Sequence, residues 1–246
     1  MKTFLLAIQF LTIIPIRINK VSHKNIVNSV ILFPVIGLLI GLLLAIIAEA
    51  LSSLGFAGLY VNTIIIVILA ALTGGIHLDG LADTADAFLS GKTREEKLKI
   101  MRDPHIGTMG ALSIVCIILL KIALLSSIAA NIKTPALILS CVISRWVMVM
   151  LMFRFPYARK DGKAAVFMSN INFRMFLITT LIALSIASSV WQFKAILVLA
   201  ISGLVAYIFG RFANRKLGGI TGDLIGAINE ISEVIILLAV FFIWRI

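Results

Sequence analysis

The stretch Gly74-Gly75-Ile76-His77-Leu78-Asp79-Gly80-Leu81-Ala82-Asp83-Thr84-Ala85-Asp86 decides how the rest of the chain is read. It follows a long apolar run and sets three carboxylates where lipid should give way to water. On a helix, Asp79, Asp83 and Asp86 fall at i, i+4 and i+7, and 3.6 residues per turn puts all three on one stripe. Like charges so arranged repel, so something positive must gather them. A divalent cation with oxygen ligands is the simplest candidate.

Working outward, 61% of the 246 residues are hydrophobic and 13% are charged, where a soluble domain carries roughly a quarter charged residues. A mean hydropathy of +1.13 agrees. The chain therefore reads as a single integral membrane domain over residues 1–246. Its apolar runs are long and continuous, unlike the short alternating segments of a barrel. The fold class expected is all-α, a polytopic transmembrane helix bundle of about seven spans. The spans are expected at Val30–Leu51, Phe56–Thr73, Thr108–Ala130, Pro135–Phe153, Met175–Val190, Phe193–Phe209 and Leu224–Trp244. Thr3–Ile16, about fourteen residues closed by Pro15, is too short to cross and reads as an interfacial or re-entrant helix. Thr93-Arg94-Glu95-Glu96 has the form of a capping box and predicts a short helix from Arg94 to about Arg102. Cys116 and Cys141 both lie in apolar runs, so neither a disulfide nor a thiolate metal site is expected. No removable signal peptide and no internal repeat is read.

The net charge of +11 invites a nucleic-acid reading, but the basic residues lie between hydrophobic spans and form no such motif. Membrane orientation accounts for them. Arg17, Lys20 and Lys24; Lys92 to Arg102; Arg154 to Arg174; and Arg211 to Lys216 occupy alternate loops. Only Lys133, Lys194 and Arg245 fall on the other side, so the rich loops and the carboxylate stretch are expected to face the cytoplasm.

A second acidic group, Asp223, Glu230 and Glu233, also shares one helix face, and its last two members lie inside an apolar span. An ionised carboxylate there costs several kcal/mol unless paired or metal-bound. Two readings stand: ion pairing with Lys121 or Arg145, or a second wall of one polar site in which these four residues meet substrate. His77 is a candidate proton acceptor or ligand, against the plainer reading of a hydrogen-bonding residue. Arg102 suits phosphate oxygens through its planar fork, with Asp103 beside it. Gly218, Gly219, Thr221 and Gly222 lead into a helix N-terminus, whose free N–H groups can receive a phosphate, although neither a P-loop nor a GxGxxG is present. A cation, a carboxylate wall and basic donors together suit transfer of a phosphoryl group from a diphosphate, with a carboxylate or His77 taking the proton of an incoming hydroxyl.

At these residues the chain resembles the cobalamin synthase family, the adenosylcobinamide-GDP ribazoletransferases. The likeness rests on Gly74-Gly75-x-His77-Leu78-Asp79-Gly80-Leu81-Ala82-Asp83-Thr84-x-Asp86, and on Phe10-Leu11-Thr12 with Pro15 and Phe33-Pro34-x-x-Gly37. It continues in Met101-Arg102-Asp103 with Ile106-Gly107-Thr108, in Arg154 to Asp161-Gly162, and in Gly218-Gly219-x-Thr221-Gly222-Asp223 with Gly226, Glu230 and Glu233. Departures are Pro104-His105 where a Ser-Arg pair is common, Ala87 where Gly is common, and Lys163-Ala164 where Leu-Gly is frequent. The resemblance implies a multi-pass enzyme of the cytoplasmic (inner) membrane, its active site facing the cytoplasm. The implied reaction joins adenosylcobinamide-GDP to alpha-ribazole, or its 5'-phosphate, releases GMP and requires Mg2+. Carried over by position, Asp79, Asp83 and Asp86 become the metal and catalytic set, with Asp223 as a further metal ligand and Glu230 and Glu233 as second-site candidates. The implied partners are the two substrates, the lipid bilayer and other cobalamin-assembly enzymes, with no nucleic acid.

Two other classes share part of this chemistry. A CDP-alcohol phosphotransferase acting on lipid uses similar chemistry, but its motif carries an Ala-Arg pair and a later Gly-x-x-x-Asp-x-x-x-Asp that this stretch lacks. An ion-coupled transporter would also hold intramembrane carboxylates, but tends to carry inverted repeats.

Overall fold

Glycine placement decides how the apolar runs pack. The computed structural model describes residues 1–159, 163–168 and 171–245. The helices are α1 (Lys2–Leu11), α2 (His23–Ser29), α3 (Phe33–Ser53), α4 (Gly58–Leu72), α5 (Ile76–Leu89), α6 (Arg94–Ile100), α7 (Thr108–Ser127), α8 (Ala130–Arg154), α9 (Lys163–Met168), α10 (Phe173–Leu217) and α11 (Gly222–Ile243). The described residues form no named strand, and one isolated parallel bridge joins Tyr157 to Ile220. Five helical runs are long and apolar enough to cross a membrane, or six if the bent pair α4 and α5 counts as one. α1, at ten residues, is too short to cross. Lys160, Asp161 and Gly162, part of the expected basic loop, lie outside the described residues.

α8 is the central helix, with 89% of its most apolar window buried, whereas α7 stands at the edge with 22%. Leu112, Val115 and Leu119 of α7 are exposed, as lipid-facing side chains are in a bundle without its bilayer. Gly37 and Gly41, one turn apart on α3, face α8. A Cβ on Gly41 would stand 2.7 Å from the Cα of Ile138, and one on Gly37 would strike the carbonyl of Cys141. Small residues at that spacing let two backbones touch, which in lipid substitutes for a hydrophobic drive.

Two elements differ from the sequence expectation. α10 is two limbs that break at Trp191 and Gln192, whose dihedrals are non-helical, with φ +51° at Gln192, so the turn lies where the sequence places it, between the spans Met175–Val190 and Phe193–Phe209. What differs is the end of the second limb, which runs on through the expected basic turn Arg211 to Lys216. The two limbs fold back on the same residue of α8. Trp146 Nε1 donates to Thr180 Oγ1 at 3.0 Å, and its ring lies against Gly203. The basic residues extend the second limb because Arg215 and Lys216 suit the negative end of a helix. Gly218, at φ +72°, ends it.

The second difference is an elbow. α4 stops at Leu72, Gly74 and Gly75 take φ of +63° and +67°, and α5 leaves at 88° to α4. Two successive left-handed residues are accessible to glycine at no steric cost, which is what the Gly-Gly pair supplies.

Candidate active site

α5 crosses α11 with the backbones almost in contact. A Cβ on Gly80 would lie 2.6 Å from the carbonyl oxygen of Asp223, and one on Gly226 would lie 3.2 Å from the Cα of His77. One glycine on each helix thus permits the crossing, and the crossing brings Asp79 and Asp83 beside Asp223. These three carboxylates line a polar cavity of about 290 Å³ together with Arg102, Asp103 and His105. Asp83 lies within electrostatic reach of Asp79, Asp223 and Asp86, opposed by Arg159.

Arg159 joins the site from a loop distant in sequence. Ile220 N–H donates to the carbonyl of Pro156 at 2.8 Å, and Ala158 N–H to that of Ile220 at 2.8 Å. This bridge carries Arg159 to the start of α11, where Nη2 donates to Asp223 Oδ2 at 2.7 Å and to the Met101 carbonyl at 3.3 Å. Arg159 and Asp223 are 64 residues apart, so no local spacing announces the pair. On the far rim, His105 donates its backbone N–H to Asp103 Oδ1 at 3.0 Å and sets Nδ1 2.7 Å from the same oxygen. These contacts hold the Asp103 carboxyl below the usual carboxylate range.

Several expected roles are redirected. Asp86 does not turn toward Asp79 and Asp83. Its Oδ2 accepts from Gly107 N–H at 2.7 Å and its Oδ1 from Gly110 N–H at 2.8 Å, so it caps α7 with both oxygens. An anion at a helix N-terminus meets unpaired donors and the positive end of the dipole. The glycine turn is likewise not an open phosphate cradle. Gly219 is buried against Pro156 and Ala158, and a Cβ there would sit 2.6 Å from the Pro156 carbonyl. Thr221 is fully buried, with Oγ1 accepting from Leu224 N–H at 3.3 Å and donating to Asp223 at 3.2 Å. Of this turn, Gly222 and Asp223 border the site cavities.

Glu230 and Glu233 take the ion-pairing course and not that of a second wall. Lys121 Nζ donates to Glu230 Oε2 at 2.6 Å and also to Glu233 Oε2, while Arg145 Nη1 donates to Glu233 Oε1. Asn229 Nδ2 adds a donor to Glu233 at 3.1 Å, and all four ionic side chains are at most 7% exposed. Buried within the bundle, the network ties α7, α8 and α11. His77 is also buried, in electrostatic reach of Arg145, Glu233 and Lys121, and its Nδ1 has no hydrogen-bond partner among the described residues.

Among the described residues, no three His, Cys, Asp or Glu side chains converge as a ready-made metal cage. The donors at the polar cavity are carboxylate oxygens on Asp79 and Asp83, with Asp223 shared with Arg159. That set fits a hard cation that binds through one or two carboxylates, retains waters and takes substrate phosphate oxygens, as magnesium does.

A family model described as cobalamin-5-phosphate synthase matches residues 3–241. The chain belongs to the cobalamin-5-phosphate synthase family. Similar curated proteins agree across nearly the full length. An adenosylcobinamide-GDP ribazoletransferase of Desulforamulus reducens is 35% identical over 230 residues, 93% of this chain and 91% of that one. Proteins of the same name from Roseiflexus sp. (strain RS-1) and Citrobacter koseri are each 38% identical, covering 94% and 86% of this chain and 86% and 87% of their own. No solved structure matches. In this member of the cobalamin-5-phosphate synthase family the signature stretch therefore maps onto the elbow, α5 and the α5–α11 crossing.

Proposed function

We propose that this chain joins adenosylcobinamide-GDP to alpha-ribazole, or its 5'-phosphate, with release of GMP, at the cavity bounded by Asp79, Asp83 and Asp223. The observation that carries this reading is the crossing at Gly80 and Gly226, which packs carboxylates from two helices at one end of a membrane bundle where Arg102, Arg159 and His105 also gather. A hydroxyl oxygen of the ribazole forms a bond to the phosphorus on the cobinamide side, and the bond from that phosphorus to the bridging oxygen breaks. GMP leaves with the electron pair. Asp79 or Asp83 accepts the hydroxyl proton, and Arg102 meets the phosphate oxygens. Asp79 and Asp83 would hold magnesium, which when bound supplies neutralisation of the departing phosphate's charge. Asp223, fixed by Arg159 and Thr221, orients the wall facing them.

The site faces the cytoplasm in this reading, because Arg94, Arg102, Arg159, Arg215 and Lys216 lie at its end of the bundle. Counting the limbs of α10 separately and α4 with α5 as one broken pass gives about seven passes, each near the length a bilayer core requires. The test is GMP release by the purified full chain in lipid nanodiscs given magnesium and both substrates. Product formation dependent on both supports the reading. Absence of GMP with either acceptor removes it.

A further inference from the structure

We infer that the second cavity, beside His77, seats the heteroaromatic base of the acceptor, while the polar cavity takes the diphosphate. This deepens the transferase reading and rests on it. The two cavities have nearly equal volumes, about 280 and 290 Å³, and among the described residues they share only Asp79 and Asp223. Their walls differ in kind. The polar cavity presents Asp83, Arg102, Asp103 and His105. The other presents Phe10, Met148, Tyr157 and Ile225, two aromatic rings with a thioether and a branched aliphatic side chain, and its arginine, Arg159, is held by Asp223 and the Met101 carbonyl. Such a lining suits a flat ring better than a charged diphosphate.

A two-substrate transfer needs two seats that meet at the reacting atoms. The shared residues are carboxylates, so the junction stands where a hydroxyl from one side must reach a phosphate on the other. Size bounds the occupant without distinguishing the two cavities. A volume near 280 Å³ is at the small end for small-molecule pockets, a scale that suits a bicyclic base and not a corrin macrocycle. His77 adds a polar side chain to this wall, bordering the cavity with 4% of its surface exposed. Phe10 lies on the short helix α1, so part of the cavity wall comes from an element too short to cross a membrane.

The experiment uses the full chain in nanodiscs, with both substrates varied. Ile225→Phe fills the cavity and Phe10→Ala removes an aromatic ring from its wall. The second is the milder change, because Phe10 is only partly buried. In each, KM for alpha-ribazole is expected to rise about tenfold or more, the scale of discrimination an apolar pocket provides, while KM for adenosylcobinamide-GDP stays within about twofold. If Ile225→Phe fails to fold, Phe10→Ala decides alone. A rise in the KM of the nucleotide-linked substrate with an unmoved acceptor KM overturns the assignment, as does no change in either for folded protein. A wild-type chain that releases no GMP removes the transferase reading itself. An active wild type with the wrong KM pattern removes this assignment and leaves that reading standing.

Discussion

Two acidic groups lie along α5 and α11, and their fates diverge. Glu230 and Glu233 carry two negative charges against the two positive charges of Lys121 and Arg145, shut inside the bundle. Asp79, Asp83 and Asp223 carry three, with Arg159 as the one ion-pair partner in hydrogen-bonding range among the described residues, and they border open cavities. In sequence these acids look alike, at helical spacing near apolar runs, and Asp223 shares its helix face with Glu230 and Glu233 and not with Asp79 and Asp83. The difference is the company each keeps in space. A balanced, closed set has spent its charge on structure, whereas a surplus facing a cavity keeps charge available for a cation or a proton.

The sharpest way to break that comparison is to neutralise each set in turn. Asp79→Asn or Asp83→Asn should lower GMP release by about 10²–10⁴-fold, the usual scale for losing a proton acceptor, with little change in the thermal midpoint of the detergent-solubilised protein. Glu233→Gln should do the opposite. Leaving Lys121 and Arg145 buried with one carboxylate between them should cost about 3–5 kcal/mol of stability, read as a lowered midpoint, while turnover per folded molecule stays within a few-fold. Replacing Lys121 and Glu230 together by Met and Leu should recover part of the loss suffered by either single change, measured as a coupling energy in a double-mutant cycle.

Smaller effects sharpen the same contrast. Gly80→Ala drives a methyl against the Asp223 backbone, so an overpacking cost of about 1–3 kcal/mol should come with reduced turnover, because the crossing sets the distance between the two carboxylate walls. Asp86→Ala should cost about 1–2 kcal/mol through the lost cap on α7 and should harm turnover far less than Asp79→Asn, separating two residues that share a stripe. Thr93→Ala, which removes the capping box of α6, should cost about 1 kcal/mol and leave activity unchanged.

Much of the fold was legible because it depends on local pattern. Continuous apolar runs mark the long helices, and Thr93 and Glu96 announce the cap of α6. The 88° elbow was not read, although Gly74-Gly75 was in plain view, because glycine pairs permit a bend without fixing its angle. The basic run Arg211 to Lys216 reads as a turn but closes α10, because Arg and Lys serve equally as loop residues and as the last turns of a helix. In the site, helical spacing put Asp86 with Asp79 and Asp83, but spacing fixes a side of a helix and not what stands opposite. Gly107 and Gly110 claim Asp86, Lys121 and Arg145 claim the two glutamates, and Arg159 arrives from a distant loop. Such pairings are made by the fold and carry no local signal.

The most direct test is a side-by-side measurement of GMP release per folded molecule for Asp79→Asn and Glu233→Gln in nanodiscs, each with its thermal midpoint. The account predicts that the first is folded and nearly inactive, and that the second is active but melts early. An active Asp79→Asn beside a stable, inactive Glu233→Gln would place the chemistry at the buried ion network and contradict it.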